Sequence, residues 1–584
     1  MDLSIPVFNP LNLTFYKLTM LREKIKERLD RIYKFIPYTD KQLEELVDRI
    51  NRIKNTFPKD FTKWSEKSII LITYGNSITR KKESPLFTLN QFLQKYIGNA
   101  ISHVHILPFF PYSSDDGFSV IDYFQVNPDL GTWQDVQSIG EKYNLMFDLI
   151  INHISQHNTW FRNFMEGKDP GKDFFIEVDP HTDLSQVVRP RSLPLLTKYA
   201  TPSGEKFVWT TFSADQIDLN FGNPLVLLEM LKVLLFYIEK GARIIRLDAI
   251  AFLWKETGTK CLHLPQTHEI VKLLHDIMKY IDPSLILITE TNVPNKENLS
   301  YFGNGDEADM VYQFSLPPLL LHALYTANST YLFQWADSLS DIPAGCTFFN
   351  FTASHDGIGI RPLEGLLPEN EIIALIQAIK DQGGYISTKK NSDGSDSPYE
   401  MNITYLDALK ITRSGHDNLQ NERFICSQTL MMSFRGIPAF YIHSLLGTPS
   451  YTEGVKLTGI NRTINRYKWD ALDLIEKLDG NTSHSMILNE LLHRIQIRKK
   501  EQAFHPDSPQ ETFYIEPELF ILIRGNHKDL IVLANLSGRK KEVDLSEIIP
   551  EIKMTKDLLE HSHQLTNRIH LDPYQVRWIK KADN

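Results

Sequence analysis

Residues 223–250 read NPLVLLEMLKVLLFYIEKGARIIRLDAI, and the fold is decided on this stretch. Asn223 is a good helix N-cap, and Pro224 suits the first helical turn, where its missing N–H is not needed. Amphipathic sequence over 225–240 predicts the helix itself. Residues 244–247 then form a short run that is apolar on both faces, as a strand covered by helices must be. The same unit recurs in both directions along the chain. Candidate strands lie at 69–74, 104–108, 146–151, 285–289, 310–314, 348–353 and 439–442, with helical stretches between them. This alternation predicts an α/β fold, a (β/α)8 TIM barrel. A doubly wound sheet stays open on pattern alone, because periodicity does not fix closure.

Attachments flank the barrel. Residues 1–64 predict an N-terminal helical extension. Ile25, Leu29 and Ile32 share one face, and after a break at Pro37 the residues Leu43, Leu46, Val47, Ile50 and Ile53 repeat at helical spacing. Thr39 with Gln42 reads as a capping box. The barrel occupies 65–154 and 223–505, interrupted after strand three by an inserted domain over 155–222. A long loop insertion is expected at 357–420, including the turn-rich K-K-N-S-D-G-S-D-S-P of 389–398. Loops of such length inside a compact domain are usually functional. From 506 to 584 the pattern is strand-only, which predicts a C-terminal all-β domain.

Composition narrows the function classes. Of 584 residues, 42% are hydrophobic and 23% charged, which is ordinary for a globular chain. Lys and Arg number 63 against 72 Asp and Glu, for a net charge of −9, and no segment is strongly basic. Nucleic acid is therefore not an expected partner. Three scattered cysteines exclude a disulfide framework and a cysteine zinc module, and they suit a reducing compartment. No secretory signal pattern opens the chain, and no apolar run reaches the roughly 18 residues that span a bilayer. A soluble cytoplasmic protein without a membrane partner is expected.

Chemistry in a barrel gathers at the C-terminal ends of its strands. Strand three ends in Asn152-His153, strand four in Arg246-Leu247-Asp248, strand five in Glu290 and strand seven in His355-Asp356, while Asp115-Asp116-Gly117 follows strand two. Charges placed there are costly unless paired or used. A zinc-protease helix is not indicated, because His153 and His157 lack the adjacent Glu; G-x-S-x-G and phosphate-loop motifs are absent. Several carboxylates without cysteine ligands fit glycoside chemistry best, one attacking the anomeric carbon while another protonates the leaving oxygen.

These residues also carry a specific resemblance. H-V-H-I-L-P, F-D-L-I-I-N-H, I-I-R-L-D-A-I, I-L-I-T-E and A-S-H-D-G-I-G resemble the ordered motifs of glycoside hydrolase family 13, the α-amylase family. L-G-T-W, R-P-R, K-E-T-G-T-K-C, S-L-P-P-L-L-L-H-A-L and I-N-R-T-I-N-R are similar to its sucrose phosphorylase branch. The resemblance implies that Asp248 is the nucleophile, Glu290 the general acid/base and Asp356 the carboxylate that grips the sugar hydroxyls. It likewise implies that His153 and His355 bind the glucosyl unit and that Arg246 orients the nucleophile. Asp115 is implied for the outer glucose hydroxyl, with Arg466 as its partner, Phe118 as the aromatic wall and Asp116 as the alternative to Asp115. Arg191 in R-P-R matches the phosphate-contacting position, and Tyr399 matches a loop tyrosine that shapes the acceptor and phosphate site. Chemistry adds two expectations: Arg246 favours the ionised form of Asp248, and a poorly hydrated site raises the pKa of Glu290.

Departures bear on the acceptor. Sucrose phosphorylases have a tyrosine where this chain has Phe252, and Asp and Gln where it has Ser397 and Glu400. The combination of S-S-D-D-G-F-S-V-I-D-Y, T-E-T-N-V-P, S-P-Y-E and the helical extension looks more like glucosylglycerate phosphorylases. Those enzymes interconvert 2-O-α-glucosylglycerate plus phosphate with α-glucose 1-phosphate plus glycerate. Close alternatives are phosphorylases of sucrose, sucrose 6-phosphate or glucosylglycerol, while a non-catalytic binding subunit would normally lack the carboxylates. Glycerate is an anion, so a cationic acceptor site is expected, with Lys389 and Lys390 as candidates. The implied co-substrate is inorganic phosphate, with no cofactor and no metal. The surplus N-terminal helices are candidates to cover an interface in a homo-oligomer.

Overall fold

The computed structural model of the chain describes residues 10–33, 39–58, 62–202, 204–339, 342–391, 393–549, 554–560 and 567–581. Its centre is a closed barrel of parallel strands: β1 (Ile70–Thr73), β2 (His103–Ile106), β3 (Asn144–Leu149), β4 (Ala242–Leu247), β5 (Ile286–Thr289), β6 (Met310–Tyr312), β7 (Thr347–Asn350) and β8 (Ile437–Tyr441). Each strand pairs with its neighbours in sequence, and Ile70 of β1 lies opposite Ala439 of β8 to close the ring. The doubly wound alternative is thereby excluded. Asn223 caps the helix Pro224–Glu239 by accepting from the Leu225 N–H at 3.0 Å. Gly241, at φ 105°, then turns the chain into β4, a conformation that a side chain would strain.

The N-terminal helices, Pro10–Ile32 and Asp40–Thr56, lie against the barrel's own helices. Thr39 and Gln42 form the capping box, whereas Pro37 lies outside the described residues. Ile25, Leu29, Ile32, Leu43, Leu46, Val47, Ile50 and Ile53 are all buried. Arg28 fixes the docking by donating to Asp276 and Glu269 of helix Pro265–Ile281, each at 3.0 Å. Ile50 is fully buried. We expect Ile50→Ala to lower unfolding free energy by about 2–5 kcal/mol, read as a reduced denaturation midpoint. An unchanged midpoint would mean that these helices are not part of the cooperative unit.

Between β3 and β4 the chain forms a hairpin, Leu196–Thr201 with Gly204–Trp209, and a pairing of His153–Ser155 with Gln216–Asp218. Val187, Leu195, Trp209 and Cys261 make a small apolar cluster there. The region after β7 departs from expectation. Residues 357–420 are not a long loop: they hold helix Glu369–Asp381 and a sheet in which Asp396–Asn402 lies between Ile358–Gly359 and Tyr385–Lys390. The turn-forming residues of 389–398 supply only the hairpin tip, and the segments either side of it pair. From Gln510 on, the described residues form a five-stranded and a two-stranded sheet, with a four-residue helix, Leu545–Ile548. Among the described residues no helix is long and apolar enough to cross a membrane.

Candidate active site

Register sets the site. β4 and β5 pair with Leu247 opposite Thr289, so Asp248 and Glu290 are the next residue on each strand. The Glu290 N–H donates to the Leu247 carbonyl at 3.0 Å and prolongs the ladder. Paired strands lie roughly 4.8 Å apart, so two carboxyl groups leave adjoining strands at one height. The Arg246 guanidinium lies between them, with Nη1 2.8 Å from Asp248 Oδ1 and Nη2 3.8 Å from Glu290 Oε2. The Ala249 N–H donates to Glu290 Oε2 at 3.1 Å and fixes that carboxyl group.

Both acids face a cleft that is also lined by Asp115, Phe118, His153, Arg191, His355, Asp356 and Tyr399. Asp356 enters after β7 and takes an ion pair from Arg462 at 2.6 Å. The same Arg462 also bonds Glu400, which joins the hairpin after β7 to the barrel mouth. Phe118 stacks on His355, with centroids 4.7 Å apart. His153 donates from Nε2 to the Phe118 carbonyl at 3.0 Å, and its Nδ1 accepts from Asn152 at 3.2 Å.

Arg466 is implied as the partner of Asp115, with Asp116 as the alternative. It bonds both acids, Asp115 at 3.2 Å and Asp116 at 2.8 Å, across a tight turn in which both residues take left-handed backbone, at φ 51° and 47°. Only Asp115 of the two reaches the cleft wall. Arg191 stands with its guanidinium 5.7 Å from the centre of the Tyr399 ring. Beside it Ser192 meets Thr388 at 3.1 Å, so the two insertions touch.

Electrostatics separates the three carboxyl groups. Burial pushes Glu290 up to about 7, and the neighbouring Asp248 and Asp356 add to the rise although Arg246 opposes it. Burial also raises Asp356, but Arg462, His355, Arg466 and Arg246 outweigh it and hold this group well below the usual carboxylate range. Asp248 is pulled both ways. Arg246 and His153 do favour its ionised form, yet burial is larger and its pKa is raised. The charges of Asp148 and Asp356 add to the rise, and Arg246 Nη1 also bonds the buried Asp148, which His105 holds at 2.7 Å, so one cation serves several acids. Burial lowers His355 to about 3, which keeps it neutral.

Several members of the site were not read from the sequence. Asp148, Arg462 and Glu400 lacked an assigned role because their partners lie far away along the chain. Lys389 and Lys390, expected as acceptor cations, turn to Glu364 at 3.9 Å and Asp396 at 3.3 Å and do not line the cleft. They are adjacent on the strand Tyr385–Lys390, so their side chains leave it on opposite faces. Arg191 and Arg462 are the lysine or arginine residues that do line it among the described residues. Behind His153, the Lys255 ammonium lies 2.6 Å from both Asp218 and Asn152, an internal neutralisation of that buried acid. No group of three or more potential metal ligands occurs among the described residues.

Comparison with known proteins agrees with this architecture. Residues 93–351 match the model of the α-amylase catalytic domain family. A glucosylglycerate phosphorylase of Escherichia coli (strain K12) is 45% identical over 566 residues, covering 96% of this chain and 100% of that protein. A second glucosylglycerate phosphorylase, from Spirochaeta thermophila, is 49% identical over 525 residues, covering 87% of this chain and 89% of that one. Among solved structures, the sucrose 6F-phosphate phosphorylase of Thermoanaerobacter thermosaccharolyticum superposes with a TM-score of 0.70 at 26% identity, covering 80% of this chain and 94% of that chain.

Proposed function

From the premise that this chain belongs to the α-amylase family, glycoside hydrolase family 13, and within it to the glucosylglycerate phosphorylases, we propose that it moves a glucosyl unit reversibly between glycerate and phosphate with retention. Asp248 attacks the anomeric carbon of 2-O-α-glucosylglycerate while Glu290 gives its proton to the departing glycerate oxygen. Phosphate then attacks the covalent glucosyl-enzyme, passing its proton to Glu290 and releasing α-glucose 1-phosphate. Asp356, kept anionic by Arg462, grips the sugar hydroxyls as positive charge develops. Asp115 with Arg466 takes the outer hydroxyl, and Phe118 on His355 forms the wall. The chemistry asks for no metal or cofactor, and three buried unpaired cysteines suit a cytoplasmic setting.

The observation that carries phosphate over water is Arg191. It lines the same cleft as the acids, rests over Tyr399 and has no carboxylate partner among the described residues, whereas Arg462 is neutralised by two. An unspent guanidinium is a receptor for an anion. The test is release of glucose 1-phosphate from 2-O-α-glucosylglycerate, sucrose, sucrose 6-phosphate and glucosylglycerol, with and without phosphate. We expect phosphate-dependent release, strongest with glucosylglycerate; equal sugar release without phosphate would make the protein a hydrolase. Arg191→Ala should lower the ratio of phosphorolysis to hydrolysis by about 100-fold.

A further inference from the structure

Asn292 stands two residues beyond Glu290 in the cleft wall. Its carboxamide makes no hydrogen bond to any described residue, and Oδ1 is buried without a partner. The loop that carries it is nevertheless fixed. Thr291 donates to Asn298 at 2.7 Å, and Asn298 donates to the Tyr312 carbonyl of β6 at 2.7 Å. Room for the carboxamide comes from Gly359, where an added Cβ would fall 2.7 Å from Asn292 Oδ1 and 3.2 Å from Nδ2. The φ of Gly359 is not in the left-handed region, so the space taken by Asn292, not backbone conformation, explains the missing side chain. A buried amide left unpaired is unfavourable, and a pocket wall is where a ligand can satisfy it.

We propose that Asn292 determines acceptor specificity by receiving the hydroxyl of the acceptor that is not glucosylated, which in glycerate is the C3 hydroxyl. This rests on the phosphorylase reading above. An amide donates at one end and accepts at the other, as a hydroxyl does, and neither end attracts a carboxylate more than Arg191 does. Asn292 and Glu290 line the same cleft two residues apart, so an acceptor whose oxygen Glu290 serves lies against the stretch of wall that Asn292 belongs to. Glycerate without its C3 hydroxyl is lactate, which gives a one-atom probe.

The experiment measures kcat/KM for D-glycerate and for D-lactate as acceptors, with glucose 1-phosphate as donor, in wild type, Asn292→Ala and Gly359→Ala. The ratio is taken within each preparation, so partial misfolding cancels. A site that hydrogen-bonds a hydroxyl discriminates strongly against its absence; we expect wild type to favour glycerate by about 100-fold and Asn292→Ala by less than about tenfold. Gly359→Ala should move the ratio the same way by pushing the carboxamide aside, and it decides the question if Asn292→Ala loses both activities. A glycerate-to-lactate ratio that stays at the wild-type value in the variants overturns the assignment. If wild-type enzyme does not glucosylate glycerate at all, the phosphorylase reading itself falls, and this inference with it.

Discussion

Asp248→Asn abolishes glucosyl transfer: exchange of labelled phosphate into glucose 1-phosphate is expected to fall by about 10,000-fold or more. Exchange needs only the covalent intermediate and phosphate, so it isolates the step assigned to this side chain from any question of acceptor. An amide oxygen cannot form a stable glycosyl ester, and among the described residues no other carboxylate is free to replace it. Asp356 is tied to Arg462 at 2.6 Å, and Asp148 is buried under Arg246. The substitution keeps volume, so the fold should survive and thermal unfolding should change little. It has a second consequence. Removing the Asp248 charge takes away one of the influences that hold Glu290 high, so the Glu290 pKa should fall. Near wild-type exchange in Asp248→Asn would show that the nucleophile lies elsewhere.

The parts of this site that sequence reveals are those whose physics is local. Parallel strands buried on both faces must be apolar runs, so all of β1–β8 could be found within a few residues of their ends. A charge directly after such a run has to be used or paired, which singles out Asp248 and Glu290 from 72 acids, whereas Asp356 stands six residues beyond β7 and is marked by the motif around it. What stays hidden depends on meetings between distant segments. Arg462 lies inside a motif visible in the sequence, but its bridge from Asp356 to Glu400 exists only once the hairpin after β7 folds over the barrel mouth. Arg246 two residues before Asp248 suggests a dedicated partner, yet Asp148 on the adjoining strand competes for the same nitrogen. The sign of the Asp248 shift therefore could not be read from its neighbours. The turn-rich residues 389–398 likewise signal a turn without stating what pairs on either side of it.

Glu290 tests the remaining half of the mechanism through its leaving group. Glu290→Gln cannot donate a proton, so phosphorolysis of glucosylglycerate, whose departing alkoxide is strongly basic, should fall by about 1,000-fold. α-Glucosyl fluoride departs without such help, and its use to form the glucosyl-enzyme should fall less than about tenfold. A uniform loss on both substrates would indicate a structural rather than an acid role. Acidity gives a second reading of the same group. Cleavage requires Glu290 protonated, and burial holds its pKa at about 7. The phosphorolytic kcat/KM should therefore be sustained below neutrality and decline as pH rises through 7, because the proton needed by glycerate is then lost. Asp248 must be ionised in the same complex, so its own titration sets the acid-side decline. In Glu290→Gln the alkaline decline should disappear while the acid-side one remains. An alkaline limb that persists unchanged in the Gln variant would assign it to another group, and Glu290 would lose its role as the acid.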